Sequence, residues 1–207
     1  MVSQRTLLGL GLIVIGLSGL LGFSIWGMLG LDITPNGTPL TIAEALTIAE
    51  GYLASLQDSD LAIREVMEFE MNFYVVYYEK STGVGAFEML IDRYSGRIFP
   101  EYGPNMMWNR KYGHMGRGSW MMGGWGQPSA NMPVTLEQAV GYAQRYLDNY
   151  ISGAFMEKPD VFYGYYTIHV SKDGKIYGML SVNGYTGQVW YHNWHGTFIQ
   201  MREFEEE

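Results

Sequence analysis

Methionine, histidine and tryptophan side chains are concentrated in one glycine-rich segment in the middle of the chain. Residues 102–133 contain Met106-Met107-Trp108, His114-Met115, Trp120-Met121-Met122 and Trp125. Thioether and imidazole groups suit soft ions such as Cu(I) and Ag(I), and the face of a tryptophan ring attracts cations. A similar group, His192-Asn193-Trp194-His195, follows near the other end of the chain. The pattern indicates a candidate soft-metal site with six possible ligands: His114, Met115, Met121, Met122, His192 and His195.

Two other interpretations of this segment remain open. Methionine and tryptophan also fill irregular gaps in hydrophobic cores, so the segment is equally typical of an apolar seam. A patch that docks another protein is the third possibility. An irregular connection longer than about 12–15 residues is uncommon in a compact domain and is often functional. His169 falls in the middle of an expected strand, where a packed imidazole is commoner than a ligand.

Enzyme motifs are absent from the sequence. It contains no H-E-x-x-H zinc motif, no G-x-S-x-G nucleophile turn, no phosphate-binding loop and no cysteine. Glu68 and Glu70 are expected on one face of a strand, where solvation is commoner than acid–base catalysis. We therefore expect a non-enzymatic protein with no catalytic residues and no cofactor other than Cu(I) or Ag(I).

The elements that would position these residues occur twice. Thr41 and Glu44 form a capping box before one amphipathic helix, and Thr135 and Gln138 form another. Each helix is followed by alternating aromatic sequence, first over residues 68–77, 86–92 and 97–99. In the second copy the corresponding strands are expected at 162–170, 176–182 and 188–192. Because such repeats mark a duplicated unit, the sequence predicts an α+β fold of two α-β-β-β repeats, each an antiparallel meander covered by one helix.

The segments that end the two copies resemble a known protein family. Copy one ends on Leu90-Ile91-Asp92-Arg93-Tyr94-Ser95-Gly96-Arg97-Ile98, and copy two on Leu180-Ser181-Val182-Asn183-Gly184-Tyr185-Thr186-Gly187-Gln188-Val189. With the capped helix and the aromatic strand, this ending resembles the PepSY domain family. Asn183 replaces the aspartate of the motif in copy two. The resemblance implies extracytoplasmic modules that inhibit or regulate peptidases or bind ligands, and that have no catalytic residues.

The beginning of the chain predicts a membrane anchor. Residues 7–30 carry no charge and would extend roughly 36 Å as a helix, against a bilayer core of about 30 Å. A cleaved signal peptide is the alternative, but its apolar core would be shorter and would end at a cleavage site. Arg5 precedes the run and Asp32 follows it, which places the N-terminus in the cytoplasm and the rest outside the cell membrane.

Charge narrows the range of partners. The chain has 13 basic and 21 acidic residues, and this acidic balance argues against a nucleic-acid partner. The expected partners are the lipid bilayer, through residues 7–30, and an unknown envelope protein or peptide. The predicted organisation is an anchor at 1–31, repeats at 38–101 and 134–197, a connector at 102–133 and a solvated acidic tail at 198–207.

Overall fold

The computed structural model describes residues 37–113 and 130–204. Its helices are α1 (Ile42–Leu56), α2 (Pro104–Trp108) and α3 (Leu136–Tyr150). The strands are β1 (Leu61–Phe69), β2 (Asn72–Glu79), β3 (Gly85–Asp92), β4 (Ile98–Pro100), β5 (Ala154–Met156), β6 (Asp160–Phe162), β7 (Tyr165–Lys172), β8 (Lys175–Asn183), β9 (Val189–Tyr191) and β10 (Phe198–Glu203).

Both long helices begin at the predicted capping boxes. The Thr41 hydroxyl accepts a hydrogen bond from the Glu44 backbone N–H, while the Glu44 carboxylate accepts one from the Thr41 backbone N–H. Thr135 and Gln138 make the same reciprocal pair at the start of α3. These bonds satisfy N–H groups that have no partner within the helix. Each helix therefore starts where its sequence specifies.

All the described strands belong to one sheet. Their order is β10-β1-β2-β3-β6-β7-β8-β9, with β4 also paired to β3 and β5 also paired to β7. The prediction of two separate meanders is therefore wrong. The short β4 covers only residues 89–91 of β3, which leaves the other end of that strand open to β6. There Gly85 pairs in parallel with Phe162, whose ring occupies the space that a side chain at position 85 would need.

The predicted transmembrane helix has no counterpart among the described helices. Within residues 37–113 and 130–204, no helix is both long enough and apolar enough to cross a bilayer. Residues 7–30, on which that prediction rested, lie outside the described part of the chain. The fold prediction of an N-terminal transmembrane helix followed by two α-β-β-β repeats is thus corrected to a mixed sheet of ten strands with few helices.

Two further segments differ from the sequence interpretation. The alternating run 68–77, expected as one strand, is a hairpin that turns between Phe69 and Asn72. The two-residue connection places Glu68 opposite Phe73, so Phe69 faces the third core while Phe73 faces α1, and the alternation along the sequence does not reveal the turn. Residues 198–203, expected in a solvated tail, form β10, which pairs along β1 from Glu65 to Phe69.

The sheet has a first half (β1, β2, β3, β4 and β10) and a second half (β5, β6, β7, β8 and β9). It bends so that these two halves face each other. One face packs against α1 and the corresponding face of the second half packs against α3, which gives two helix-covered cores. The opposite faces bury a third core that includes Met67, Tyr74, Leu90, Tyr165 and Met179. His169 on β7 contacts Glu65 on β1, although three strands separate β7 from β1 in the sheet order. This contact requires the bend, and the candidate site lies on the enclosed side.

Candidate metal centre

Three buried side chains converge where the ends of the two halves meet. Glu101 directly follows β4, His192 directly follows β9, and His195 lies in the connection to β10. Their exposed fractions are 0%, 3% and 2%. One possible ligand atom from each residue lies within 4.8 Å of those of the other two. Carboxylates and imidazoles are seldom buried this completely unless they are paired or bind a metal.

The orientation of His195 follows from its hydrogen bonds. The Asn72 amide N–H donates to the Trp194 carbonyl oxygen at 3.0 Å, so its oxygen is the atom that faces the ring. That Oδ1 lies 2.8 Å from His195 Nδ1. Since an amide oxygen can only accept, Nδ1 carries the proton and Nε2 carries the lone pair. His195 therefore presents Nε2 as an available ligand atom.

Several polar atoms of the cluster are buried without a hydrogen-bond partner. By strict geometry they are both carboxylate oxygens of Glu101, Nδ1 of His192, Nε2 of His195 and Nε1 of Trp194, although the Asn105 backbone N–H and the Trp194 side chain lie close enough to Glu101 to lower its pKa. The distance from Glu101 Oε1 to His192 Nδ1 is 3.3 Å, yet its geometry is not that of a hydrogen bond. Leaving a buried polar group unsatisfied costs about 1–3 kcal/mol, so an arrangement of this kind calls for an explanation.

Burial shifts the pKa values of all three groups toward their uncharged forms. Burial, together with the nearby carboxylate of Glu88, raises the pKa of Glu101 well above its usual value, although the Asn105 backbone N–H and the Trp194 side chain oppose that rise. Burial, reinforced by His195 and His169, lowers the pKa of His192 well below its usual value. Burial also lowers the pKa of His195 to about 3. Both imidazoles are therefore neutral at physiological pH, the state in which imidazole binds metal.

The spacing suits a small coordination sphere. Ligand distances of about 2.0–2.2 Å around a tetrahedral ion place neighbouring ligand atoms roughly 3.4 Å apart. The 3.3 Å between Glu101 Oε1 and His192 Nδ1 already matches that edge. The Trp194 ring stacks on His192 with ring centroids 4.8 Å apart, and Phe69 stacks on His195 at 4.7 Å. These aromatic walls hold both imidazole planes in place.

A second acidic cluster differs from the first because its charged groups have ion-pair partners within the protein. Glu65, Asp160 and His169 also bring possible ligand atoms within 4.8 Å of one another. Here His169 Nε2 lies 3.0 Å from Glu65, and Arg64 pairs with Asp160 at 2.7 Å. Burial alone would lower the pKa of His169, but Glu65, Glu157 and Asp160 together outweigh it and raise that pKa to about 10. Built-in cations therefore neutralise this second cluster, which we interpret as an ion-pair network between the two halves.

Of the six ligands that the sequence predicts, only the two histidines His192 and His195 lie in the described part of the chain. The structure brings His192 and His195 together, whereas His114, Met115, Met121 and Met122 lie outside the described residues. In the described part of the connector, Trp108 packs on the third core and Met107 is 60% exposed. Soft-metal binding by the connector therefore stays a prediction.

The sequence reasoning missed Glu101, although the repeat contained a signal for it. The same spacing of 91 residues separates Gly96 from Gly187 and Glu101 from His192. The backbone confirms that the two positions are equivalent. The Glu101 N–H donates to the Glu88 carbonyl at 3.0 Å, and the His192 N–H donates to the Met179 carbonyl at 2.9 Å. Aligning the two copies beyond their glycine turns would have placed the carboxylate opposite the imidazole.

Known proteins offer little similarity to this chain. No family model matches it, and neither does any curated protein. Among solved structures it is similar to the Bacillus megaterium YpeB C-terminal domain, with 12% identity and a TM-score of 0.27. The match covers 75% of this chain and 63% of that one, so it spans less than two thirds of the other chain's length. A similarity this low carries no argument about the family or the function of this chain, so the PepSY-like resemblance stays a prediction.

Proposed function

We propose that this protein is a non-catalytic binding module whose ligand is a divalent metal ion held by Glu101, His192 and His195. One observation carries the proposal: three buried groups direct acceptor atoms at one another without well-formed hydrogen bonds between them. Such atoms repel unless a proton or a cation lies between them. A proton on Glu101 fills that role only in part, whereas a metal ion would satisfy all three groups at once.

The donor set favours a borderline divalent ion. Two imidazoles and one carboxylate suit Zn²⁺, Fe²⁺, Ni²⁺ or Cu²⁺, while Cu(I) and Ag(I) prefer sulfur. The ligands also come from the ends of both halves of the sheet, since Glu101 follows β4 and His192 follows β9. A bound ion would therefore hold the halves together, and metal binding would regulate the stability of the module.

Metal stoichiometry measured on the full-length protein tests this proposal. We expect chelator-treated protein to bind one Zn²⁺ with high affinity in isothermal titration calorimetry, and the variants Glu101→Gln and His195→Ala to lose that binding. Asp160→Asn is the matched control, because it makes the same carboxylate-to-amide change in the ion-paired cluster and should keep the binding. Zn²⁺ affinity that is equal in wild type and in both ligand variants would refute the site. A Cu(I) titration of the same proteins tests the connector separately.

A peptide-binding role is the second candidate, and strand β9 carries it. Among the described strands β9 pairs only with β8, and the pairing pattern turns the backbone groups of Val189 and Tyr191 away from β8. A groove of about 380 Å³ runs beside this edge, lined by Tyr146, Gln188, Val189, Trp190, Tyr191 and Asn193. Open edges of this kind accept an extended peptide as an added strand.

Selection from a library of displayed peptides tests the second candidate. Peptides that bind at this edge should lose affinity for Val189→Pro, which removes an N–H that points away from β8. Metal binding should be unchanged in that variant. If the selected peptides bind Val189→Pro as well as they bind wild type, the edge is not their site.

A further inference from the structure

A chain of hydrogen bonds leads from the metal centre to a second buried carboxylate. His192 Nε2 lies 3.0 Å from the Ser181 hydroxyl, which lies 3.0 Å from the Thr167 hydroxyl. Thr167 in turn donates to Glu88 Oε1 at 2.9 Å. Glu88, Thr167 and Ser181 are all buried, at 2% exposure or less. The chain links β3 in the first half of the sheet to β7, β8 and His192 in the second half.

We propose that Glu88, acting through Thr167 and Ser181, sets the tautomer of His192 and so directs its Nδ1 lone pair at the metal. The proposal rests on the metal-binding function above and adds three positioning residues that do not themselves touch the ion. Its basis is a count of protons along the chain.

The count begins at Glu88, which acts as the acceptor at the end of the chain. The Tyr74 and Tyr165 hydroxyls both donate to its carboxylate, the latter at 2.6 Å, and Thr167 supplies a third O–H. Three O–H groups are thus directed at its two oxygens, so Glu88 acts as the acceptor in each of these bonds.

Each hydroxyl then has a single proton to give. Thr167 gives its proton to Glu88, so in the contact between the two hydroxyls Ser181 must be the donor. Ser181 has thereby used its own proton, so it can only accept from His192. Nε2 of His192 consequently carries the ring proton, and Nδ1 keeps a lone pair 3.3 Å from Glu101 Oε1. The direction of every hydrogen bond in the chain follows from Glu88, which is the acceptor at its far end.

This arrangement extends a known feature of metal sites. A ligating imidazole usually donates its other N–H to a carboxylate or carbonyl, which fixes the ring and raises its basicity. His195 follows that rule directly, through Asn72. For His192 the carboxylate lies two hydroxyl groups away, so the two halves of the sheet jointly orient a ligand of the shared site.

The variant Thr167→Val tests the chain, because it removes one hydroxyl without touching any ligand. Nitrogen-15 NMR of the metal-free full-length protein at pH 8 should show wild-type His192 protonated at Nε2. In Thr167→Val the Ser181 proton is free to turn, so we expect His192 to populate both tautomers. Zn²⁺ affinity should fall about 10–100-fold, the range seen when outer-shell partners are removed.

Two further variants separate orientation from general damage. Thr167→Ser keeps the hydroxyl and should restore both the tautomer and the affinity. Ser171→Ala removes a hydroxyl from the same strand that bonds Glu157 instead, and should change neither. A wild-type His192 that is protonated at Nδ1, or a Thr167→Val variant with unchanged tautomer and affinity, overturns the proposal. Absence of Zn²⁺ binding in wild type would refute the proposed function, while the NMR result would still decide the tautomer.

Discussion

Replacing Glu101 by glutamine should stabilise the metal-free protein while it removes the response to metal. The carboxyl group is fully buried, and neither of its oxygens accepts a hydrogen bond of good geometry, although the Asn105 backbone N–H and the Trp194 side chain lie close enough to lower its pKa. Glutamine has nearly the same shape but brings an N–H₂ group, which can donate to His192 Nδ1 only 3.3 Å from the present Oε1. The variant therefore exchanges an unsatisfied pair of acceptors for a hydrogen bond.

The size of each effect follows from the burial of these groups. Relieving one unsatisfied buried group is worth about 1–3 kcal/mol. In a domain of about 150–250 residues this raises the melting temperature by about 2–4 °C per kcal/mol, so we expect a gain of roughly 2–12 °C. Wild type in Zn²⁺ at 100 times its dissociation constant should gain about 2.7 kcal/mol, or roughly 5–11 °C. Glu101→Gln should gain almost nothing from the ion.

Thermal unfolding measured with chelator and with Zn²⁺ gives both the melting-temperature change caused by the substitution and the change caused by the ion. Asp160→Asn, the matched change in the ion-paired cluster, should lower the melting temperature in chelator, because it removes the carboxylate charge that pairs with Arg64. It should also keep the full response to Zn²⁺. A Glu101→Gln protein that melts below wild type in chelator and still responds to Zn²⁺ would show that the carboxylate is a structural group rather than a ligand.

Three other predictions concern the frame around the site. Gly85→Ala should lower the free energy of unfolding by about 1–3 kcal/mol in urea titrations, because its Cβ would lie 2.5 Å from the Phe162 ring at the junction of the two halves. His169 has its pKa raised from 6.5 to about 10, so its stabilising pairing with Glu65 is complete below pH 6.5 and is lost as the pH rises through 10. Wild type should lose stability over that interval, and His169→Gln should lack this part of the slope in unfolding measured at several pH values. Thr135→Ala should cost about 1 kcal/mol in the same urea assay, since it removes the cap of α3.

Local signals in the sequence predicted local structure well. The capping boxes specified where both long helices begin, and the closing turns of both copies form as expected. Asp92 accepts hydrogen bonds from two backbone N–H groups of its turn, and Asn183 accepts the equivalent pair. The substitution of asparagine for aspartate therefore leaves the turn intact, because both side chains offer the same acceptor oxygen.

Long-range pairing could not be predicted from those signals. The continuous sheet depends on a single parallel contact between Gly85 and Phe162, and no periodicity in the sequence marks that contact. β10 combines polar and apolar residues and becomes a strand only because β1 offers it an open edge. The buried glutamates were also misread. Glu68 was expected in solvent, but it is 6% exposed and pairs with Arg93, which lies 25 residues further along the chain.

The proposed metal site lies where equivalent positions of the two halves of the sheet meet. The two halves face each other, and here those positions are Glu101 and His192. Tyr74 and Tyr165 are also 91 residues apart, and both donate to the same Glu88 carboxylate. These two pairs carry the same residue or a complementary one, whereas Glu88, Thr167 and Ser181 have the apolar equivalents Met179, Val76 and Leu90. In the proposed site a carboxylate from one half and an imidazole from the other would supply two different ligands from equivalent backbone positions, and His195, between β9 and β10, would supply the third.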